Sequence, residues 1–281
     1  MKENVSTAPA LENPQSWSLF LRIGPSGFDA LLHNPAPEQP MRGIRQGCPE
    51  GNDLLPALET FVYDNPLLLS DFRSVTILLE TPRFTLIPNG VESPVMQRDI
   101  LSLSLPGGVD PDERENVLTD EVKSVPVEIA CLPEEKMLTF LRRTFHNPRI
   151  MNHLTPLLEY FGSRRKEGNH ARTYVQMRER GLDIIIFRES TVGLCNTFTY
   201  STMDDAAYLI LAARQTVGDL DPDNDEIYLC GDLQQRLELG SRLGQFVKNI
   251  LPVIFPPALF RKSRGVMDIP FDLILMPLLC E

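Results

Sequence analysis

Four aspartates crowd the stretch Asp219-Leu220-Asp221-Pro222-Asp223-Asn224-Asp225, a density of carboxylates that suits a divalent cation. A calcium hand also needs glycine at the sixth loop position, for the sharp turn, and a bidentate glutamate at the twelfth. Counted from Asp219 those places hold Asn224 and Cys230; counted from Asp221 they hold Glu226 and Asp232. Neither register fits, and the stretch reads as a surface loop between a helix and a strand. The histidines, His33, His146, His153 and His170, show no HxxxH or HExxH spacing, so no helix-borne zinc pair is expected. His153, beside Thr155 and Glu159, reads as a hydrogen-bonded core or interface residue. No Gly-x-Ser-x-Gly elbow is present, and no cysteine has a histidine next to it. Cys48, Cys131, Cys195, Cys230 and Cys280 are scattered, odd in number and never spaced CxxC. That usage fits reduced, packed thiols in a reducing compartment.

The elements that must carry any site begin with two hairpins. Gly24-Pro25-Ser26-Gly27 joins the apolar runs 18–23 and 28–33, and Arg178-Glu179-Arg180-Gly181 joins 173–177 and 182–187. The ten residues Ile23–Leu32 lie over Met177–Ile186 with Gly27-Phe28-Asp29 and Gly181-Leu182-Asp183 in one register. Each hairpin is followed by a third strand (41–46, 191–200), a helix (about 52–63, 203–217) and a further strand (74–80, 226–230). A β-β-β-α-β unit used twice is expected, three antiparallel strands feeding a helix crossover. Strands are also expected at 83–88 and 127–132. Further helices are expected over 134–145, over 149–161 with Pro156 kinking or splitting it, and over 233–251. In the last of these, Leu233, Leu237, Gly240, Leu243, Val247 and Ile250 would share one face, and Gly240 and Gly244 would mark close helix packing. Residues 89–125 show no clear pattern apart from the turn-rich 106–111. The expected organisation is a disordered tail over 1–16, a first half over 17–161, a basic and polar linker over 162–169, and a second half over 170–281.

Length and charge restrict the partners. The chain has 281 residues, 42% hydrophobic and 23% charged, enough to bury its core without staples. Its net charge of −11 repels nucleic-acid phosphates. The short basic runs 164–166 and 261–264 read as solvated loops. No apolar stretch approaches the ~20 residues that span a bilayer. A cytoplasmic protein without membrane insertion or nucleic-acid binding is expected.

Three stretches carry a resemblance: Arg149–Glu159, Cys195–Tyr200 and Ile227–Asp232. With the duplicated unit, they resemble a Bacteroidetes family of unknown function, DUF3822, over nearly the whole chain from Trp17. The resemblance implies an α/β fold of two ribonuclease H-like halves in the actin-like ATPase arrangement with mixed sheets. The second half is most similar to the pilus-assembly and cell-division branch of that group.

Working members of that fold hold Asp-x-Gly-Ser/Thr in each hairpin turn, with backbone N–H groups aimed at phosphates and a carboxylate orienting Mg²⁺. Laid onto this chain, the resemblance marks Gly24, Ser26 and Gly27 in the first turn and Arg178 and Gly181 in the second. It marks Gly231 and Asp232 where the adenosine turn would fall. All three places depart from the pattern. Pro25 removes a donor N–H and no aspartate sits in the first turn. Arg178, Glu179 and Arg180 crowd the second. The third has one glycine where the pattern has two. Asp29 and Asp183 lie past the turns and do not replace the missing ligands. The arginines are read as parts of a solvated tight turn, with anion binding by charge as the alternative. The expected protein is a non-catalytic scaffold or interaction module that binds another protein or its own kind, without a cofactor. Its docking surface would be the cleft between the halves or the edge near 195–200. The alternative is a nucleotide-binding ATPase or kinase using ATP and Mg²⁺ at a non-standard phosphate site.

Overall fold

The computed structural model describes residues 11–36, 41–49, 51, 53–164, 170–179, 181–189, 191–218, 221–254 and 269–280. The distal tail, most of the proposed linker, Arg180, the start of the aspartate loop and the basic run 261–264 lie outside the described residues.

The first half opens with β1 (Ser18–Gly24), β2 (Gly27–His33) and β3 (Arg42–Gly47), then α1 (Leu54–Asp64), capped by the Asp53 carboxylate on Leu55 N, and β4 (Ser74–Leu79). An excursion follows: β5 (Phe84–Pro88), α2 (Pro94–Ser104), β6 (Leu118–Val122), β7 (Val127–Cys131) and α3 (Glu135–Thr144). The chain returns through β8 (Arg149–Asn152) into α4 (Thr155–Ser163). The second half repeats the opening: β9 (Arg172–Met177), β10 (Leu182–Arg188), β11 (Thr191–Phe198), α5 (Met203–Val217) and β12 (Glu226–Cys230). It ends with α6 (Leu233–Leu243), β13 (Asn249–Pro252) and α7 (Phe271–Leu279).

The strands form two five-stranded mixed sheets of equivalent order, β3-β2-β1-β4-β8 and β11-β10-β9-β12-β13. Register confirms the repeat. Arg22 pairs with Asp29 across the first hairpin, and Gln176 with Asp183 across the second. On the third strands, Arg45 faces Asp29 and Thr197 faces Asp183.

Because side chains alternate across a strand, each sheet has two faces. Leu19, Leu21, Ile23, Phe28 and Ala30 share one core cluster with Leu58 and Phe61 of α1 and Leu138 and Leu141 of α3. The opposite face, with Phe20, Leu31 and Leu78, packs on Leu273, Ile274 and Met276 of α7. In the second sheet Val175, Ile184 and Ile186 pack on α5 and α6. Tyr174, Ile185 and Phe187 pack on Leu157, Leu158 and Phe161 of α4. The halves therefore exchange helices: α4 comes from the first half and covers the second sheet, and α7 comes from the second and covers the first.

Several expectations are corrected. The helix expected over 149–161 is a strand followed by a helix. Ile150 pairs parallel with Ile77, and Pro156 sits in the first turn of α4, where its missing N–H costs nothing. The helix expected over 233–251 stops at Leu243, and Ile250 pairs with Ile227 as an edge strand. Leu233 and Leu237 are exposed while Leu239 and Leu243 are buried. Gly240 does not mark a close approach: a Cβ there would meet Ile250 and Leu229 at ordinary distances of 3.8 and 3.9 Å. Residues 89–125 belong to an inserted subdomain, a sheet of order β5-β7-β6 with α2 held to it through Leu101, Ile87 and Ala130. The tail is structured before Trp17: Leu11 joins the first core cluster and Pro14–Ser16 forms a 3-10 turn.

Candidate functional site

A cleft of about 670 Å³ opens between the hairpin turns of the two sheets. Ser26, Gly27, Asp29 and Arg45 line one side, and Met177, Arg178, Gly231 and Asp232 the other, with Phe271 of α7 at the edge. Five of the seven site residues marked in the sequence thus share one cavity. The other two abut Glu80 and Arg178. A Cβ on Gly24 would fall 2.5 Å from Glu80 Oε2, and one on Gly181 would fall 2.6 Å from Arg178 Nη2.

Charged side chains occupy the ground between the turns. Arg22 donates from Nε to Asp272 Oδ2 at 2.7 Å and from Nη2 to Glu80 Oε2 at 2.9 Å. Arg178 grips Asp183 with two donors, at 2.7 and 3.0 Å, and its Nη1 meets the same Glu80 oxygen. His153 Nε2 lies 3.1 Å from Asp183 Oδ1, which also accepts from the Thr197 hydroxyl at 2.8 Å. Gln176 donates to Asp183 and accepts from the Asp272 backbone N–H. Arg22, Gln176, Arg178, Asp183, His153 and Asp272 are all buried. The solvated turn expected for Arg178 is therefore corrected. Arg178 is 8% exposed, because two carboxylates within reach of a long side chain draw it inward.

The carboxylates fall into two kinds. Burial alone would push Glu80 up, but the guanidiniums of Arg178 and Arg22 outweigh it and hold it below its ordinary value. Asp183 behaves likewise: burial opposes ionisation, and Arg178 and His153 reverse the sign. Asp29 has weaker help. Arg45 pairs with it at 3.1 Å but is half exposed, and burial pushes Asp29 up to about 6. Asp120 is also raised, up to about 6, by burial. It accepts from Asn152 N at 2.7 Å and Thr155 Oγ1 at 2.8 Å, tying the insertion to the start of α4.

The remaining candidates are committed to structure. Asp232 caps α6, accepting from Gln234 N and Gln235 N at 2.9 and 3.2 Å, and the Gly231 carbonyl accepts from Arg236 Nε. Gly231 has φ +135°, and a Cβ there would press on Met177 at 2.9 Å. In the aspartate loop, Asp221 accepts from Asp223 N and Asn224 N, and Asp225 from Ala171 N and Arg214. Those carboxylates serve protein donors, and among the described residues no group of three His, Cys, Asp or Glu side chains is placed to hold a metal. His153 is buried and hydrogen-bonded, as the core or interface reading expects, but its partners are Asp183 and Thr197. Thr155 bonds Asp120, and Glu159 accepts from Ser124 N. Burial raises the thiols of Cys131, Cys195 and Cys230, the last to about 12, so they stay protonated; Cys131 and Cys230 are packed in the core and Cys195 is half-buried.

Arg22, Glu80 and Asp272 were not singled out in the sequence. For two of them a signal is present: Arg22 interrupts the apolar run Leu19–Ile23, and Asp272 interrupts the run Phe271–Leu275. A charge inside an apolar run is rarely buried without a partner.

Two halves of β-β-β-α-β topology, closed on one another through exchanged helices around a central cleft, define a protein of the actin-like ATPase fold. The chain belongs to DUF3822, a family described as protein of unknown function, whose model matches residues 9–250. It is similar to a protein of actin-like ATPase fold and unknown function from Bacteroides thetaiotaomicron VPI-5482, 22% identical with a TM-score of 0.77 over 95% of this chain and 97% of that one. It is also similar to a chain of the PilM–PilN type IV pilus biogenesis complex, 17% identical with a TM-score of 0.57 over 94% of this chain and 98% of that one. At these identities the likeness shows the fold alone. Comparison with curated proteins gives no significant match. No helix among the described residues is long and apolar enough to cross a membrane.

Proposed function

We propose that this chain is a non-catalytic, cytoplasmic interaction module, a two-lobed scaffold that docks a protein partner or a second copy of itself. One observation carries the reading. The Arg178 guanidinium lies against Gly181, in the space over the second turn through which a phosphate would reach the backbone amides. Glu80 and Asp183 hold it there. Asp232 already uses the first amides of α6, and Pro25 leaves the first turn one donor short. The docking surface is the edge of the second sheet at β11, all of whose residues are exposed or half-buried. Among the described residues no strand pairs with its outer side, and such an edge is of the kind partners extend.

The second reading, a nucleotide-binding ATPase or kinase, draws support from the cleft. About 670 Å³ is within the range of small-molecule sites, and Gly27 and Gly231 both line it with positive φ. A thermal-shift series with ATP, ADP and GTP plus Mg²⁺ separates the two. A nucleotide at a hundred times its Kd stabilises the fold by about 2.7 kcal/mol. No shift with any nucleotide is expected. A reproducible rise with one of them would replace the first reading by the second.

A further inference from the structure

The contact that stands out is one carboxylate oxygen shared by two guanidiniums from opposite halves. Glu80 follows the last residue of β4, and its backbone is fixed by the bond from Glu80 N to Ile23 O at 2.9 Å. Its Oε2 meets Arg22 of β1 at 2.9 Å and Arg178 at the end of β9. Gly24 makes room: any larger residue would put a Cβ 2.5 Å from that oxygen. The side chain is 9% exposed, and both of its arginine partners line the cleft. A small anion would choose such a place, between two hairpin turns, beside a glycine, with two forks of N–H donors converging on it. The place is filled by a carboxylate on the chain's own tether.

We propose that Glu80 is a tethered anion: its carboxylate occupies an oxyanion site between the two hairpin turns and clasps the halves together without a bound ligand. Tethering gives it an effective concentration that a free anion at millimolar level does not match. Charge excludes a second occupant. Glu80, Asp183 and Asp272 already set three carboxylates against the guanidiniums of Arg22 and Arg178. A polyanion would displace Glu80 and deepen that imbalance. This inference rests on the reading of the cleft as closed to nucleotides and explains how it is closed.

The test is anion rescue. Glu80→Ala removes the tethered carboxylate, vacates the site and leaves Gly24 unobstructed. Its melting temperature should fall by several degrees. Sodium formate, small enough for the vacated space, should restore roughly 3–6 °C of that loss, and sodium chloride at equal ionic strength should not. Glu80→Gln fills the site without charge, so it should be destabilised yet indifferent to formate, as should the wild-type chain. An undiminished melting temperature in Glu80→Ala overturns the proposal. So does a formate effect equal to that of chloride, or equal in all three proteins. If Glu80→Ala does not fold in plain buffer, its refolding yield in formate against chloride is read instead, and equal yields sink the idea. The formate result bears on Glu80 alone, whereas a nucleotide shift in the wild-type chain would count against the function proposed above.

Discussion

Burial pulls Glu80, Asp183, Asp29 and Asp120 toward neutrality, and Glu80 and Asp183, each met by buried Arg178, resist it. Glu80 and Asp183 are held below their ordinary values, so their stabilisation is present above about pH 4 and is lost as pH falls further. Asp29 and Asp120 are raised to about 6, so the folded state holds their protons more tightly than the unfolded chain does. Their contribution is complete below about pH 4 and disappears as pH rises through 6. The sum predicts greatest stability on the acid side of neutrality. Asp120→Asn isolates one part of it. Asn152 N and Thr155 Oγ1 both bond the same Asp120 oxygen, and an amide oxygen can take both. The variant should be more stable than wild type at pH 7 by on the order of 1–2 kcal/mol and equal to it near pH 4. Urea titrations at the two pH values measure this. A variant less stable at pH 7 would mean the ionised carboxylate is worth its burial.

Among the elements, α4 is where packing overrides propensity. Gly162 sits inside it, and a Cβ there would run into Ser124 Oγ and come within 2.9 Å of Val125 Cγ1. Gly162→Ala should cost about 1–3 kcal/mol through overpacking. Gly240→Ala on α6 has only ordinary contacts at 3.8 and 3.9 Å, and should gain up to about 1 kcal/mol from helix propensity. Chemical denaturation of both variants checks the opposite signs; equal effects would show that the insertion does not press on α4. The same contrast marks what could be read from sequence. The repeated hairpins, α5 and β12 were legible because apolar runs, turn residues and caps agree there. Residues 149–152 and 249–251 read as helix in the sequence because a short apolar run in a parallel strand looks like the buried stripe of a helix. The insertion was opaque because α2 buries only Leu101 and β6 turns a charged residue, Asp120, inward. The hairpin turns of the site could be found locally. Its chemistry could not, because Arg22 and Asp272 are 250 residues apart and meet only through the exchange of helices.

That exchange decides how the whole molecule holds together. The inner face of the first sheet is covered by α7, which arrives from the far end of the chain. Without α7, Phe20, Leu31, Leu78 and Met151 would lie open to water and Arg22 would lose Asp272. The inner face of the second sheet likewise depends on α4, where Phe161 stacks on Tyr174 at 4.0 Å and Tyr160 meets Phe271 at 5.3 Å. A cut between residues 164 and 170 yields two pieces, and neither covers its own core. Residues 1–164 expressed alone should therefore be insoluble or aggregated. Co-expression with residues 170–281 should recover a soluble complex, because the second piece brings α7 back to the first sheet. Truncation before residue 269 in the intact chain should be nearly as damaging as the cut, since exposing four large apolar side chains forfeits about 1.5–3 kcal/mol each. Size-exclusion chromatography of the separate and co-expressed pieces reads the outcome directly. A monomeric, cooperatively melting 1–164 fragment would mean that each lobe closes its own core, and that the crossed helices only join two finished domains.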